Sequence, residues 1–297
     1  MQLTGIHVVL TYQCQFECGH CFIWGRGGHS GIFHPDGLAV VLDQAAALGT
    51  IKEICFEGGE TFVYYPLLIA AVRSAASRRF RPAVITNGYW ANSAQQARLW
   101  LERLVTAGLQ RILFVAEGLG GAAEDLTAHP AVVVSQEMGL DTAIIGAGER
   151  AGGQMSGLGQ AGWPQLTCGR VRRTPGDGAL YPWTTFTTCP YEQLASPSHV
   201  HIDPFGDVHL CRGLIIGNIF DCPLASIAAY HAPERHPIVG PLLTDGPAGL
   251  VTRYGLQPES AYTAACQLCR HSLAQLWPRF PTRRAGQPAI GGAPCED

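Results

Sequence analysis

The sequence predicts an α/β protein: an open parallel sheet in the first half, then a small α+β extension with a β-hairpin. Three observations lead there. Strand-like and helix-like segments alternate through the first 150 residues, the pattern of a parallel sheet with right-handed crossovers. The five strands counted are enough for a partial barrel and too few for a closed eight-stranded one. After about residue 163 the alternation stops, and 198–211, "SHVHIDPFGDVHLC", alternates across a turn as an antiparallel hairpin does.

Each element has its own signal. "IHVVLT" at 6–11 is a buried strand. "DGLAVVLDQAAALG" at 36–49 has helical spacing and a glycine stop. "IKEICFEGG" is a strand entering a glycine turn, "YPLLIAAVRSAASRR" a helix and "PAVITNG" a strand. "NSAQQARLWLERLVTAG" is the clearest helix, with Asn92 or Ser93 as N-cap and Gly108 after its end. "QRILFVAEG" and "DTAIIGAGE" close the series as strands. In parallel sheets, ligand sites lie at the carboxyl ends of strands. The glycine-, cysteine- and carboxylate-bearing motifs fall at such ends.

Composition narrows the function classes. The formal charge is −3, and the one basic run, "RVRR" at 170–173, reads as a solvated loop. A nucleic-acid partner needs a basic face, and none is expected. No apolar run is long enough to span a bilayer, and the N-terminus lacks a signal-peptide pattern. No membrane partner is expected, and a cytoplasmic location is. Eleven cysteines in such a compartment point to metal or redox chemistry rather than disulfides. Glycines crowd 146–162, which reads as loop, and 281–297 reads as a disordered tail holding Cys295 as a bystander thiol.

Cys14, Cys18 and Cys21 follow the first strand directly. A structural zinc site there would borrow a ligand such as His20 or His29, but such sites prefer paired CxxC ligands. The alternative is an iron–sulfur cluster: three thiolates can hold three corners of a [4Fe–4S] cube and leave one iron open to an exogenous ligand.

This CxxxCxxC loop after a first strand resembles the radical S-adenosylmethionine (SAM) superfamily, which implies a partial TIM-like barrel of five or six parallel strands. The residue before the last cysteine is commonly aromatic, and here it is His20. Gly58, Gly59 and Glu60 resemble the family's GGE motif at the SAM amino group; glycines suit the close approach of main-chain carbonyls to an ammonium. Thr86 and Asn87, in "ITNGYW", resemble a TNG that lines the pocket, although Asn-Gly also favours a plain turn. Ile144, Gly146 and Glu149 match most of GxIxGxxE at the adenine, with Thr142 replacing the first glycine. Arg150-Ala151 resembles a GRA near the SAM carboxylate, with Glu149 in place of its glycine. Glu117 falls where relatives often carry a polar SAM ligand. The resemblance implies reductive cleavage of SAM to methionine and a 5′-deoxyadenosyl radical, which abstracts a substrate hydrogen atom.

Cys189, Cys211, Cys266 and Cys269, in the order set by "DPFGDVHLC", "GLIIGNI" and "CQLC", resemble SPASM/twitch extensions. The shorter twitch form, with one auxiliary [4Fe–4S] cluster, fits better, because no further cysteines follow until the tail. A structural zinc in the same thiolates stays open, since thiolate count does not separate the two. His199, His201 and His209 read as surface or packing residues. Cys168 and Cys222 are buried thiols, a substitute ligand or a hydrogen donor. The expected division is a radical SAM core at 1–162, a linker at 163–184, an auxiliary-cluster domain at 185–280 and the tail at 281–297.

The implied activity is a net oxidation, with the auxiliary cluster accepting an electron, as in a dehydrogenase. A redox-neutral epimerase or rearrangement enzyme and a non-catalytic zinc-binding protein are the alternatives. The implied partners are a small-molecule or peptide substrate and an electron donor such as flavodoxin or ferredoxin. The chain starts almost at its first strand, which tilts the expectation to a small metabolite. Aromatics near the sheet ends, Tyr64, Tyr89 and Trp90, with Tyr181 and Trp183, are candidate pocket walls or core.

Overall fold

The computed structural model describes residues 1–16, 31–115, 126–145, 179–190, 192–211 and 213–280. Strands β1 (Gly5–Thr11), β2 (Glu53–Gly58), β3 (Arg81–Thr86), β4 (Arg111–Val115) and β5 (Asp141–Ile145) are parallel neighbours in the order β5-β4-β3-β2-β1. Helices α1 (Pro35–Leu48), α2 (Tyr65–Ser77), α3 (Ala94–Ala107) and α4 (Pro130–Glu137) lie between them in sequence. Alternation along each strand sorts its side chains to two faces. Ile6, Val8, Leu10, Ile54, Phe56, Val84, Ile112 and Phe114 join the main core with residues of the helices. Cys55, Ala83, Ile85, Leu113 and Ala143 form a separate apolar cluster on the opposite, inner face.

Local signals set the helix ends. Ser93 is the N-cap of α3; its hydroxyl accepts from Gln96 N at 3.2 Å. Gly49 and Gly108 stop α1 and α3 with φ of 69° and 106°. Periodicity does not announce α4, because its Val132–Val134 run favours a strand. Its start signals are instead His129, whose ring accepts from Ala131 N at 3.2 Å, and Pro130 in the first turn.

The hairpin joins this same sheet. β7 (His199–Ile202) pairs parallel with β1, and β8 (Asp207–Cys211) and β9 (Leu214–Asn218) continue antiparallel. Among the described residues seven strands of the sheet therefore run one way and β8 the other, and the sheet is open, as expected. A two-residue strand, β6 (Tyr181–Pro182), pairs with β10 (Ala261–Tyr262). Helices α5 (Leu224–Tyr230), α6 (Val239–Tyr254) and α7 (Ala265–Leu276) complete the described chain. Helix α6 kinks at Asp245–Gly246, just before Pro247. No described helix is long and apolar enough to cross a membrane.

Candidate active site

A β-bulge between Val9 and Thr11 ends the regular pairing of β1 with β2 and turns the chain toward Cys14. The Gly58–Gly59 turn packs directly on this exit. Gly59 N donates to the Thr11 carbonyl at 2.7 Å, and Glu60 N to the Gln13 carbonyl at 2.8 Å. A Cβ on Gly59 would land on the Gln13 carbonyl and 2.7 Å from the Tyr12 carbonyl; one on Gly58 would lie 2.7 Å from the Thr11 carbonyl. The glycines are thus required by the backbone of the cysteine loop itself.

Glu60 ties the end of β2 to the end of β3. Its buried carboxylate accepts from Asn87 N at 2.8 Å, Phe62 N at 3.0 Å, the Thr86 hydroxyl at 2.8 Å and the Thr61 hydroxyl at 3.5 Å. Burial pushes this acid up to about 7, against the pull of those donors. Thr86 also accepts from Trp90 Nε1 at 3.0 Å. Trp90 stacks on Phe62 with centroids 4.2 Å apart, so it belongs to the core rather than to a pocket wall. Asn87 Oδ1 accepts from Tyr89 N at 3.1 Å and from Gln15 Nε2 at 3.3 Å, which sets Asn87 Nδ2 4.0 Å from Cys14 Sγ.

Cys14, Gly58, Gly59, Glu60, Thr86 and Asn87 therefore meet at the carboxyl ends of β1–β3. Ile144 packs on the main core, whereas Ile145 packs on the inner face. Cys18, His20, Cys21, Glu117, Gly146, Glu149, Arg150 and Cys168 lie outside the described residues.

The second constellation is built by the extension. Cys189, Cys211, Cys266 and Cys269 line one hollow, with Leu194, Leu214, Leu242 and Leu273 among its apolar walls. The hollow measures about 40 Å³, more than the roughly 10–15 Å³ that a single water requires. Cys266 and Cys269 share one face of α7 by their i, i+3 spacing, and Cys211 ends β8. Cys189 is seated by the kink in α6. Gly246 has φ 58°, and a Cβ there would collide with the backbone of Thr187 and Thr188. Ala248 N, released by the kink, donates to the Phe186 carbonyl at 3.0 Å.

Sequence reasoning missed a buried polar cluster on the inner face. Glu57 accepts from His7 Nδ1 at 3.1 Å and His201 Nδ1 at 2.6 Å. The two imidazoles hold its carboxyl well below the usual range despite complete burial. His199, beside them, is pushed down to about 3 by burial and by the neighbouring rings. Of the surface and packing alternatives for these histidines, packing holds for His201 and His209, which are buried. Asp203 accepts from the Tyr12 hydroxyl at 2.8 Å, and His209 Nε2 lies 3.7 Å from it. The signal available in sequence was a histidine and a glutamate inside strands otherwise read as buried.

Comparison with known proteins agrees with this architecture. Residues 8–120 match the Radical SAM superfamily model. No curated protein matches the sequence. The solved structure of BtrN in complex with AdoMet and 2-DOIA is 15% identical, over 82% of this chain and 88% of that one, with a TM-score of 0.51. Streptococcus suis SuiB bound to the precursor peptide SuiA is 13% identical, over 90% of this chain and 76% of that one, with a TM-score of 0.49. The BtrN likeness is one of fold. The three-cysteine loop, the Gly58–Glu60 turn and Thr86–Asn87 all fall inside residues 8–120, the part of the chain that is similar to the Radical SAM superfamily model.

Proposed function

We propose that this chain is a radical SAM enzyme with a twitch-type auxiliary [4Fe–4S] cluster, catalysing net oxidation of its substrate. Cys14, Cys18 and Cys21 would hold the first cluster. Gly58, Gly59, Glu60, Thr86 and Asn87 would form the SAM side, completed by His20, Glu117, Gly146, Glu149 and Arg150, with Ile144 packing behind it on the main core. Cys189, Cys211, Cys266 and Cys269 would hold the auxiliary cluster. When bound, these groups supply a 5′-deoxyadenosyl radical that removes a substrate hydrogen atom, and an acceptor for the remaining electron. The protein's own part is positional: Glu60 locks the β2 and β3 ends together, and Asn87 is held beside Cys14.

The observation that carries the oxidative reading is the meeting of four distant thiols on one hollow. Four thiolates saturate a cluster and leave no open iron, which suits electron transfer. The redox-neutral alternative needs a hydrogen donor, and Cys222, buried in the main core, is disulfide-bonded and offers no thiol hydrogen. The substrate proposed is a small molecule or peptide, and the reductant a flavodoxin or ferredoxin. A reducing, cytoplasmic compartment suits this thiol set.

Anaerobic purification with iron and sulfide counts tests the reading; about eight irons per chain are expected. Replacing Cys14, Cys18 and Cys21 with alanine leaves about four irons and no 5′-deoxyadenosine. Replacing Cys266 and Cys269 also leaves about four, but SAM cleavage survives while substrate oxidation stops. Zinc in the four-thiol site would overturn the auxiliary cluster. Deuterium passing from a candidate substrate into 5′-deoxyadenosine identifies the substrate.

A further inference from the structure

The inner face of β1 and β7 carries a set of ligands that the cysteine chemistry does not use. His7 alternates with Ile6 and Val8, and His199 and His201 flank Val200; those aliphatic neighbours point into the main core, so the imidazoles point the other way. The parallel register pairs Gly5 with His199 and His7 with His201. The three rings lie 4.7 to 5.6 Å apart between centroids. Glu57 reaches them from β2, and Glu192 from the loop before β7.

We infer that Glu192, His199 and His201 form a site for a divalent cation of the zinc class, with Glu57 as the carboxylate that orients His201. Three features of the geometry carry this. The donor atoms of Glu192, His199 and His201 all lie within 4.8 Å of one another. His199 Nε2 and Glu192 Oε2 are 3.7 Å apart, too long for a hydrogen bond. Two ligands about 2.0–2.2 Å from a tetrahedral ion stand about 3.4 Å apart, so this pair needs little movement to close on one. Finally, Glu57 accepts from Nδ1 of His201 at 2.6 Å. That bond turns Nδ1 to Glu57, and His201 would meet the ion through Nε2. A carboxylate on the far nitrogen of a ligating histidine is the usual outer-shell support.

The donor set of two imidazoles and one carboxylate selects a first-row transition ion over magnesium or calcium. His199 and Glu192 keep 15% and 17% exposure, which gives a hydrated ion an approach, while His201 is buried beneath them. Glu192 stands three positions from Cys189, so the ion would also pin the loop that carries this thiol to β7. None of its ligands is a cysteine of either set, and the inference stands whether or not the radical SAM reading holds.

The test uses cluster-loaded protein, freed of loose metal on a chelating resin and titrated anaerobically with Zn(II) by calorimetry. One equivalent should bind, and zinc-edge absorption should show only nitrogen and oxygen neighbours at about 2.0–2.2 Å. Glu192→Gln should weaken binding at least tenfold and His199→Ala about a hundredfold, with iron and sulfide unchanged. Both side chains are partly exposed, and circular dichroism confirms that the variants fold. Absence of stoichiometric binding overturns the inference. So does a sulfur neighbour at about 2.3 Å, or affinity that is unchanged in both variants.

Discussion

Glu60→Gln isolates a pH dependence that the fold builds into the candidate active site. Glu60 is fully buried, and its acid is raised from an ordinary 4.5 to about 7. The sign follows from linkage: between those values the folded state binds the proton and the unfolded state releases it, so stability falls as pH rises. Across about pH 5 to pH 8 that loss integrates to about 2–3 kcal/mol. Glutamine cannot titrate. Its amide also turns one acceptor into a donor facing Asn87 N, Phe62 N or the Thr86 hydroxyl, at a pH-independent cost of about 1–3 kcal/mol. Wild type and variant are unfolded side by side in urea, anaerobically, so cluster release is common to both. The wild type should lose about 2–3 kcal/mol relative to the variant between the two pH values. Parallel behaviour across the range would refute the assignment of a raised acid at Glu60.

Other positions give sharper structural tests. Gly59→Ala should cost about 1–3 kcal/mol, because its Cβ meets backbone that cannot swing aside. Displacement of the loop should lower iron at the first cluster while the four-cysteine centre keeps its own. Gly206→Ala in the β7–β8 turn combines φ of 83° with a Cβ that would land on the Phe220 ring and 2.8 Å from Asn218 Oδ1. A drop of several degrees in melting temperature is expected, and an unchanged melt would discount that crowding. Cys55 is fully buried, and burial with Glu57 and Glu53 nearby pushes its thiol up. Mass mapping should find it unalkylated in native protein at pH 8 and alkylated in urea; native-state labelling would contradict its packing.

The strands and helices of the first half were legible because their signals are local. Period-2 and period-3.6 patterns, Ser93 and Gly108 at the ends of α3, and glycines after β2 act within a few residues of themselves. The motif residues at the ends of β1, β2 and β3 were legible too, since a parallel sheet gathers carboxyl ends on one edge. Helix α4 was not, because its valines argue against the tertiary packing that makes it a helix.

What the sequence alone determined is therefore the open α/β architecture and the grouping of Cys14 with Gly58–Glu60 and Thr86–Asn87. Only the tertiary structure decided that β7 pairs parallel with β1, which makes the hairpin part of the same sheet. That pairing brings His199 and His201 beside His7 and Glu57, residues separated by more than 140 positions. Only the kink at Gly246 makes room for Thr187–Thr188 next to Cys189, whose thiol lines one hollow with those of Cys211, Cys266 and Cys269. Such contacts depend on register and on backbone clearance between distant segments, and neither leaves a periodic trace in the chain.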